Sequence, residues 1–175
     1  EVWRASAEGL NVAIVNPGLI IGSGNWKESS GTIFMEFDKN NYTFSGGTSY
    51  VDVRDVAKIS IELMEKNAFG ERFILVSENA KYEEVGNFIR QKLGKSPLKM
   101  LPQSVLKIGY YLNILFGWLI SPLRMANKVN VQSVTEFNKI SNKKIKEKLN
   151  YEFITVEESL AFHLENYKKD KNFNK

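Results

Sequence analysis

The sequence predicts an α/β fold in which a helix leads through a tight turn into a buried parallel strand. Residues 2–8 have the composition of a helix end, and Gly9 suits the left-handed position that closes a helix. Residues 10–15 form an apolar run rich in β-branched side chains, which is typical of a strand buried on both faces. Residues 73–76 repeat this pattern. Because a parallel strand needs parallel neighbours and this chain offers few, we expect further strands upstream of residue 1.

Shorter elements are predicted between these two strands. Residues 19–26 form a glycine-containing loop, and residues 31–38 a short helix. Residues 42–44 and 49–53 are two extended pieces around a Gly-Gly turn. Asp52 then begins a helix that runs to Lys66, with Asp55 in the manner of a capping box and an apolar stripe of Val56, Ala57, Ile59, Leu63 and Met64.

The remainder is predicted to be mostly helical. Residues 82–93 form a helix closed by Gly94. Residues 105–123 are the most apolar stretch, but Gly117 and Pro122 interrupt it, so it is too short to span a membrane and predicts a buried or interface helix. Ser141 could cap a short helix. Residues 155–158 form a capping box for the last helix, whose tail from Lys168 is expected to fray.

Composition narrows the classes of protein that are possible. The 175 residues are 43% hydrophobic and 25% charged, which suits one globular core and not a disordered chain. There is no cysteine, so disulfides and thiolate metal sites are excluded. With one histidine, His163, we expect neither a histidine-based zinc site nor a Ser-His-Asp triad. Residues 1–8 lack an apolar signal sequence, which favours a cytoplasmic protein.

The net charge of +4 comes from basic residues late in the chain. Glutamates interleave with them, so a solvated helix face is a better interpretation than a nucleic-acid surface, and neither a nucleic-acid partner nor stable membrane insertion is expected. The basic residues are Lys139, Lys143, Lys144, Lys146, Lys148, Lys168, Lys169, Lys171 and Lys175.

Three local patterns resemble catalytic or binding motifs. Glycines 18, 22 and 24 follow a predicted strand but lack the spacing of a dinucleotide-binding turn that opens a helix. Tyr167 and Lys171 have the spacing of a catalytic pair, yet they lie in the tail, so this match is attributed to chance. Asp52, Arg54 and Asp55 could form an acid/base group, but a helix cap with a local ion pair is the favoured interpretation.

Four motifs in order resemble the extended short-chain dehydrogenases/reductases, the NAD-dependent epimerase/dehydratase family. Residues 16–26 (NPGLIIGSGNW) are similar to the strand-end loop of that family, and residues 50–57 (YVDVRDVA) to its later motif. Residues 70–75 (GERFIL) resemble a following strand. Residues 148–151 and 155–160 resemble the closing pattern, so the resemblance extends over essentially the whole chain.

The resemblance implies an α/β chain that is the C-terminal portion of a Rossmann-like NAD(P)-binding fold plus its mostly helical substrate-binding region. Residues 1–26 would end the Rossmann portion, and residues 27–175 would form mainly the substrate-binding region, with strand 73–76 returning to the sheet. The catalytic Tyr-x-x-x-Lys would lie upstream of Glu1, which leaves no catalytic residue in this chain. NAD or NADP would bind the intact enzyme and not this chain alone, and self-association through the uncovered strand is expected.

The resemblance also assigns binding residues. Pro17, Gly18 and Leu19 align with positions that line the cofactor, whereas Asn16, Tyr50 and Arg54 align with substrate-binding positions. No metal ligand is implied.

The position of Thr48 helps to choose among branches of the family. Enzymes acting on nucleotide-diphosphate sugars often have an arginine there, two residues before the aromatic residue. The sequence is more similar to the dihydroflavonol-reductase and 3β-hydroxysteroid-dehydrogenase-like branch, which implies an oxidoreductase for a carbonyl or hydroxyl substrate. The alternatives are a nucleotide-sugar epimerase or dehydratase, a non-catalytic dinucleotide-sensing or interaction domain, and a basic peripheral membrane-binding domain.

Overall fold

The computed structural model describes residues 1–173 and shows two compact units, each built from separate chain segments. Unit 1 comprises Glu1–Thr32, Ser49–Asn79 and the described part of Lys139–Lys175. Unit 2 comprises Ile33–Thr48 and Ala80–Asn138. The two units are defined by which residues pack together. The predicted boundary at residue 26 separates a cofactor-side region from a substrate-side region, and it stays a prediction.

Unit 1 begins with the predicted helix, turn and strand. Helix α1 (Val2–Ala7) ends before Gly9, whose φ of +98° confirms the left-handed closing position. Strand β1 (Ala13–Pro17) starts three residues later than predicted, because Leu10 still donates a backbone hydrogen bond to the helix (3.0 Å to the carbonyl of Ala5). The strand is half-buried to exposed within this chain, so the described residues do not supply the two-sided burial that its composition is typical of.

The strands of this part of the chain pair in parallel. Strand β1 pairs with β5 (Glu71–Leu75), with Ala13 opposite Glu71 and Pro17 opposite Leu75. Strand β2 (Leu19–Ile21) pairs with β4 (Gly47–Asp52), in a sheet of order β2-β4-β6 that is completed by β6 (Glu78–Lys81). The predicted loop therefore begins with a strand, which at three residues is too short for periodicity to identify.

Unit 1 contains three further helices, of which the first two supply side chains to its hydrophobic core. They are α3 (Val53–Glu65), α7 (Lys143–Leu149) and α8 (Val156–Phe173). Ile59 and Leu63 of α3 are buried as predicted, but the flanking Ala57 and Met64 are exposed, so the buried stripe is narrower than expected. The core consists of Val51, Ile59, Leu63, Ala68, Phe73, Leu75, Ile145 and Leu149.

Helix α8 is capped as the sequence predicts and is longer than expected. Thr155 and Glu158 exchange hydrogen bonds between side chain and backbone N–H, both at 3.2 Å, which is the predicted capping box. The helix continues to Phe173 instead of fraying from Lys168, and Lys175 lies outside the described residues. Helix α7 begins after Asn142, whose side chain donates to the carbonyl of Val76 at 2.6 Å. Ser141, one position earlier, accepts from the backbone N–H of Lys143 at 3.3 Å, so the predicted serine does bind the first turn of the helix.

Unit 2 packs α4 (Tyr82–Lys92) against α2, which spans Thr32–Lys39, and a small parallel pair of strands, β3 (Tyr42–Thr43) and β7 (Lys99–Met100). Gly86 lets α4 lie close to the side chain of Leu98, because a Cβ at this position would stand 2.3 Å from Leu98 Cδ1. The buried apolar side chains are Phe34, Val85, Ile89 and Leu98.

The rest of unit 2 is α5 (Gln103–Phe116), a 3₁₀ segment (Ser121–Ala126) and α6 (Lys128–Thr135). No side chain of α5 is buried, so a helix buried within the chain was the wrong expectation. Within residues 1–173, no helix has the combination of length and apolarity that crossing a bilayer requires.

Candidate functional site

The predicted cofactor and substrate residues 16–19 lie where β1 ends and β2 begins. Asn16 and Pro17 are the last residues of β1 and are exposed, and Gly18 donates its N–H to the carbonyl of Leu75 at 3.0 Å. In parallel α/β sheets, ligands bind at the carboxyl ends of the strands. The segment from Asn16 to Leu19, here called the strand-end segment, therefore occupies the edge at which a ligand is expected.

Gly18 is needed for packing at this point. A Cβ on Gly18 would stand 2.5 Å from the carbonyl oxygen of Ser49, so a larger residue would force the backbones apart. The next residue, Leu19, pairs with Tyr50 across β2 and β4. Tyr50 is completely buried, so the structure brings it next to the strand-end segment but inside the protein.

Arg54 lies beyond the end of β4 and forms an ion pair with Asp52. Its Nε and Nη2 donate to the two carboxylate oxygens at 2.9 and 2.7 Å, and its backbone N–H donates to Asp52 Oδ1 at 2.7 Å, so Asp52 caps α3. The guanidinium also lies 4.1 Å from the centre of the Phe162 ring. Burial alone would raise the pKa of Asp52, but the hydrogen bonds from Arg54 and Ser159 outweigh it and lower that pKa to about 2.

A buried polar network continues from Asp52 to the surface. Ser159 donates to Asp52 Oδ2 at 2.6 Å, and His163 Nε2 stands 3.3 Å from the same oxygen. On the other side of the ring, His163 Nδ1 is 2.6 Å from Ser23 Oγ, which also accepts from Asn166 at 2.9 Å. The expectation that one histidine excludes a Ser-His-Asp arrangement was wrong, because a single histidine can contact both partners.

The geometry of this network favours a structural role. The contact from His163 Nε2 to Asp52 lacks the geometry of a hydrogen bond, and both Asp52 oxygens already accept from Arg54 and Ser159. Burial lowers the pKa of His163, which keeps the imidazole neutral, although the charge of Asp52 partly opposes the effect. The network therefore ties α8 to the start of α3, and we assign it no catalysis.

Sequence reasoning missed this network for a physical reason. Ser159 and His163 are four residues apart and share one face of α8, which was the available signal. Their partners Asp52 and Ser23 are more than a hundred residues away, and nothing in the sequence shows which strand end a helix will contact.

Asp55 does not form the predicted capping box. Its carboxylate accepts from Tyr151 Oη at 2.9 Å and from the backbone N–H of Ile154 at 3.0 Å. Burial raises the pKa of Asp55, while these two hydrogen bonds oppose the rise. Because buried Asp52 and buried Asp55 hold different partners, they act as two structural anchors and not as an acid/base pair.

The remaining sequence motifs bring no phosphate-binding or acid/base site. The glycines at 22 and 24 do not open a helix, since α2 begins at Thr32, so the described residues offer no cradle for a pyrophosphate. Tyr167 is buried and packs edge-on against Trp26, with ring centres 5.3 Å apart. Among residues 1–173, no group of three or more His, Cys, Asp or Glu side chains could hold a metal ion.

Unit 2 contains an open apolar groove of about 500 Å³ between α5 and α6. Its size is that of a small-molecule site, and its polar side chains are few. The residues that line it are Phe44, Val105, Leu106, Gly109, Met125, Ala126, Asn130, Val131, Ser133 and Val134.

Comparison with known proteins supports the fold. No protein-family model matches the chain. The chain is 26% identical to sterol demethylase protein B of Methylococcus capsulatus over 97 residues, which is 54% of this chain and 30% of that protein. Among solved structures, a nucleoside-diphosphate-sugar epimerase from Pseudomonas aeruginosa is 16% identical, with a TM-score of 0.73 over 95% of this chain and 51% of the epimerase. Gre2 from Candida albicans, solved with NADPH, is 19% identical, with a TM-score of 0.60 over 94% of this chain and 48% of Gre2.

These similarities define the fold of the chain. The chain has the α/β fold of NAD(P)-binding enzymes, as the sequence predicted. More narrowly, it has the fold shared by the NAD-dependent epimerases/dehydratases and the short-chain dehydrogenases/reductases, and it spans about half the length of the solved structures it matches.

Proposed function

We propose that this chain forms the substrate-binding side of an NAD(P)-dependent oxidoreductase that interconverts a carbonyl and a hydroxyl group. The observation that carries the proposal is the strand-end segment, which leaves the carboxyl end of β1 beside the carboxyl end of β5. Ligands of open α/β folds bind at this edge, and a structure with the same fold holds NADPH. When bound, NAD(P)H supplies the hydride, and the residues of this chain orient the reactants.

Each residue of the strand-end segment has a proposed part. Pro17 has no N–H, so it would border the nicotinamide through its ring, with Leu19 beside it. Gly18 keeps the segment tight against the backbone of Ser49. Asn16 is exposed at the strand end and carries both a donor and an acceptor, which suits a substrate carbonyl or hydroxyl.

Tyr50 and Arg54 have different proposed parts. Because Tyr50 is fully buried, its burial favours supporting Leu19 from inside the protein over touching substrate. The Arg54 side chain is 42% exposed and gives Nε and Nη2 to Asp52, which leaves Nη1 with no partner among the described residues. That nitrogen could donate to a polar group of the substrate.

We propose an apolar small molecule as the substrate. Thr48 takes the place of the arginine typical of nucleotide-sugar enzymes, the groove of unit 2 is mainly apolar, and the relative from Methylococcus capsulatus is named for sterol chemistry. The alternative is a nucleotide-sugar epimerase, which the shared fold alone favours. Assaying the full-length parent with sterol-like ketones and with UDP-sugars separates the two.

The experiment is steady-state kinetics and thermal melting of full-length parent variants. We expect Asn16→Ala to lower kcat/KM by about tenfold or more, since it removes a group that positions the substrate, with little change in melting temperature. Arg54→Ala should raise KM, and it should also lower the melting temperature because Asp52 loses its partner. Arg72→Ala, at an exposed arginine on β5, is the matched control and should leave both unchanged. Wild-type kinetics for Asn16→Ala would refute the proposed role of the strand-end segment.

The 175-residue chain alone should not oxidise NADPH with any aldehyde or ketone. Its described residues supply neither a pyrophosphate cradle nor a Tyr-Lys pair held at a ligand edge. Turnover by the purified chain, measured by NADPH absorbance, would contradict this assignment of roles.

A further inference from the structure

Helix α5 is rich in apolar residues, but only one side of it is covered. The covered side, at helical spacing, faces the 3₁₀ segment and α6 and consists of Leu106, Gly109, Tyr110, Asn113 and Gly117. The exposed side consists of Val105, Ile108, Tyr111, Leu112 and Leu115.

Exposed apolar side chains continue past the end of α5. Trp118 is 76% exposed, Met125 73% and Val129 74%, and Leu119 and Ile120 are also exposed. Together with the exposed side of α5, these residues are called the apolar surface below. So many large apolar groups exposed in one stretch of chain mark an interaction site.

The charge of this stretch identifies the kind of partner. Between Glu84 and Glu136 there is no acidic residue. Arg90 is buried among backbone carbonyls, and Lys95 pairs with Asp38. The other lysines and arginines of the stretch form no ion pair with a described residue; they are Lys92, Lys99, Lys107, Arg124 and Lys128.

Two of these lysines lie beside the apolar groove. Lys107 and Lys128 line an open groove of about 420 Å³ together with Tyr110 and Thr135. Val131 lines both this groove and the apolar groove of unit 2. Lysines beside exposed apolar side chains match a bilayer surface, where anionic headgroups lie above acyl chains.

We propose that the apolar surface, with Lys107 and Lys128, binds peripherally to an anionic lipid bilayer. Helix α5 would lie in the plane of the membrane, its exposed side among the acyl chains and Trp118 at the headgroup level. This mode needs no membrane-spanning helix. A second copy of the chain fits less well, because a symmetric contact would place this acid-free stretch against itself and bring like charges together.

The test is flotation of the 175-residue chain with vesicles of phosphatidylcholine, with and without phosphatidylserine. We expect binding to the phosphatidylserine vesicles that weakens as salt is added. The double variant Lys107→Gln/Lys128→Gln should lose about 25-fold in affinity, at about fivefold for each lysine near an anionic surface. Leu115→Ser/Trp118→Ser, at exposed positions, should lose at least about tenfold while the circular dichroism spectrum stays unchanged.

Matched variants on unit 1 control for charge and for apolarity. Lys146→Gln and Ile61→Ser change exposed residues outside the apolar surface and should bind like the wild type. No binding to the anionic vesicles, or equal loss in the controls, would overturn the proposal. A second result would also overturn it: a chain that does not bind vesicles but forms a dimer, with Leu115→Ser/Trp118→Ser dissociating that dimer. In that case a second copy of the chain occupies the apolar surface.

Discussion

Replacing Asp52 by asparagine removes one negative charge from the centre of the buried network. The carboxylate accepts hydrogen bonds from the backbone and side chain of Arg54 and from Ser159. An asparagine keeps one oxygen that can accept the N–H of the helix cap. Its amide NH₂ would replace the oxygen that accepts from Arg54 and Ser159, and a donor cannot accept those hydrogen bonds. The variant therefore loses interactions that only the ionised carboxylate makes.

The pKa of Asp52 gives the size of the expected loss. Its ordinary value is 3.8, and the hydrogen bonds of the folded protein lower it to about 2 despite the burial, which corresponds to about 2 kcal/mol of stability at neutral pH. The side chain is fully buried, so solvent screening does not reduce this figure much. We expect Asp52→Asn to lower the free energy of unfolding by about 2–3 kcal/mol at neutral pH.

The pH dependence provides an independent check of the same argument. A carboxyl group with a lowered pKa stabilises the folded state above its unfolded pKa, and the contribution is lost as pH falls through the folded value. The difference between wild type and Asp52→Asn should therefore be constant near neutral pH and should narrow between about pH 4 and about pH 2. Urea unfolding followed by circular dichroism measures this difference.

Glu65→Gln is the matched control, because it removes an exposed carboxylate from the same helix. It should change the free energy of unfolding by no more than about 0.5 kcal/mol at any pH. If Asp52→Asn is as mild as this control, or if its effect persists undiminished at about pH 2, the network does not stabilise the protein in the way described.

Three further predictions concern neighbouring residues. Gly18→Ala should cost about 1–3 kcal/mol, because the new Cβ would stand 2.5 Å from the backbone oxygen of Ser49, and the melting temperature measures this loss. Tyr151→Phe should lower the free energy of unfolding by about 1–3 kcal/mol, measured by chemical denaturation, because buried Asp55 loses a hydrogen-bond donor. The control Tyr42→Phe, at an exposed tyrosine, should leave this free energy unchanged. Burial lowers the pKa of His163, so its neutral form stabilises the fold above the unfolded pKa, and stability is lost as pH falls through the folded value. The free energy of unfolding, measured at about pH 7 and about pH 5, should therefore fall less between the two pH values in His163→Gln than in the wild type. By NMR, the single imidazole of the wild type should titrate with a pKa below its ordinary range.

Local chemistry explains which parts of the fold the sequence predicted well. Gly9 and Gly94 have positive φ, Asp52 caps α3, and Thr155 caps α8, all as expected. Each of these features depends on residues within about four positions of one another, so the sequence contains the whole interaction. The four family-like motifs predicted the α/β fold because four weak patterns in the same order as in the family are a stronger signal than any one of them alone.

Long-range packing explains what sequence reasoning did not predict. Residues Leu19–Ile21 form strand β2 because they pair with β4. Three apolar residues alone do not predict a strand. The exposure of α5 depends on which elements cover it, whereas its composition predicted only a buried or interface helix. The assigned roles of Asn16, Tyr50 and Arg54 stay predictions, since a fold positions residues without revealing their ligand.

The order in which the two units can be completed during synthesis follows from their discontinuous segments. Unit 2 is fully synthesised once residue 138 has been added, whereas unit 1 also needs residues 139–175. Asp52 can pair with Ser159 only after 107 further residues have been added, a delay on the order of ten seconds at typical translation rates. During that interval the core side chains of α3 lack Ile145 and Leu149, so the nascent chain exposes apolar surface that a chaperone can bind. Unit 2 is therefore expected to resist protease on ribosomes stalled once residue 138 has emerged from the exit tunnel, when unit 1 is still cleaved.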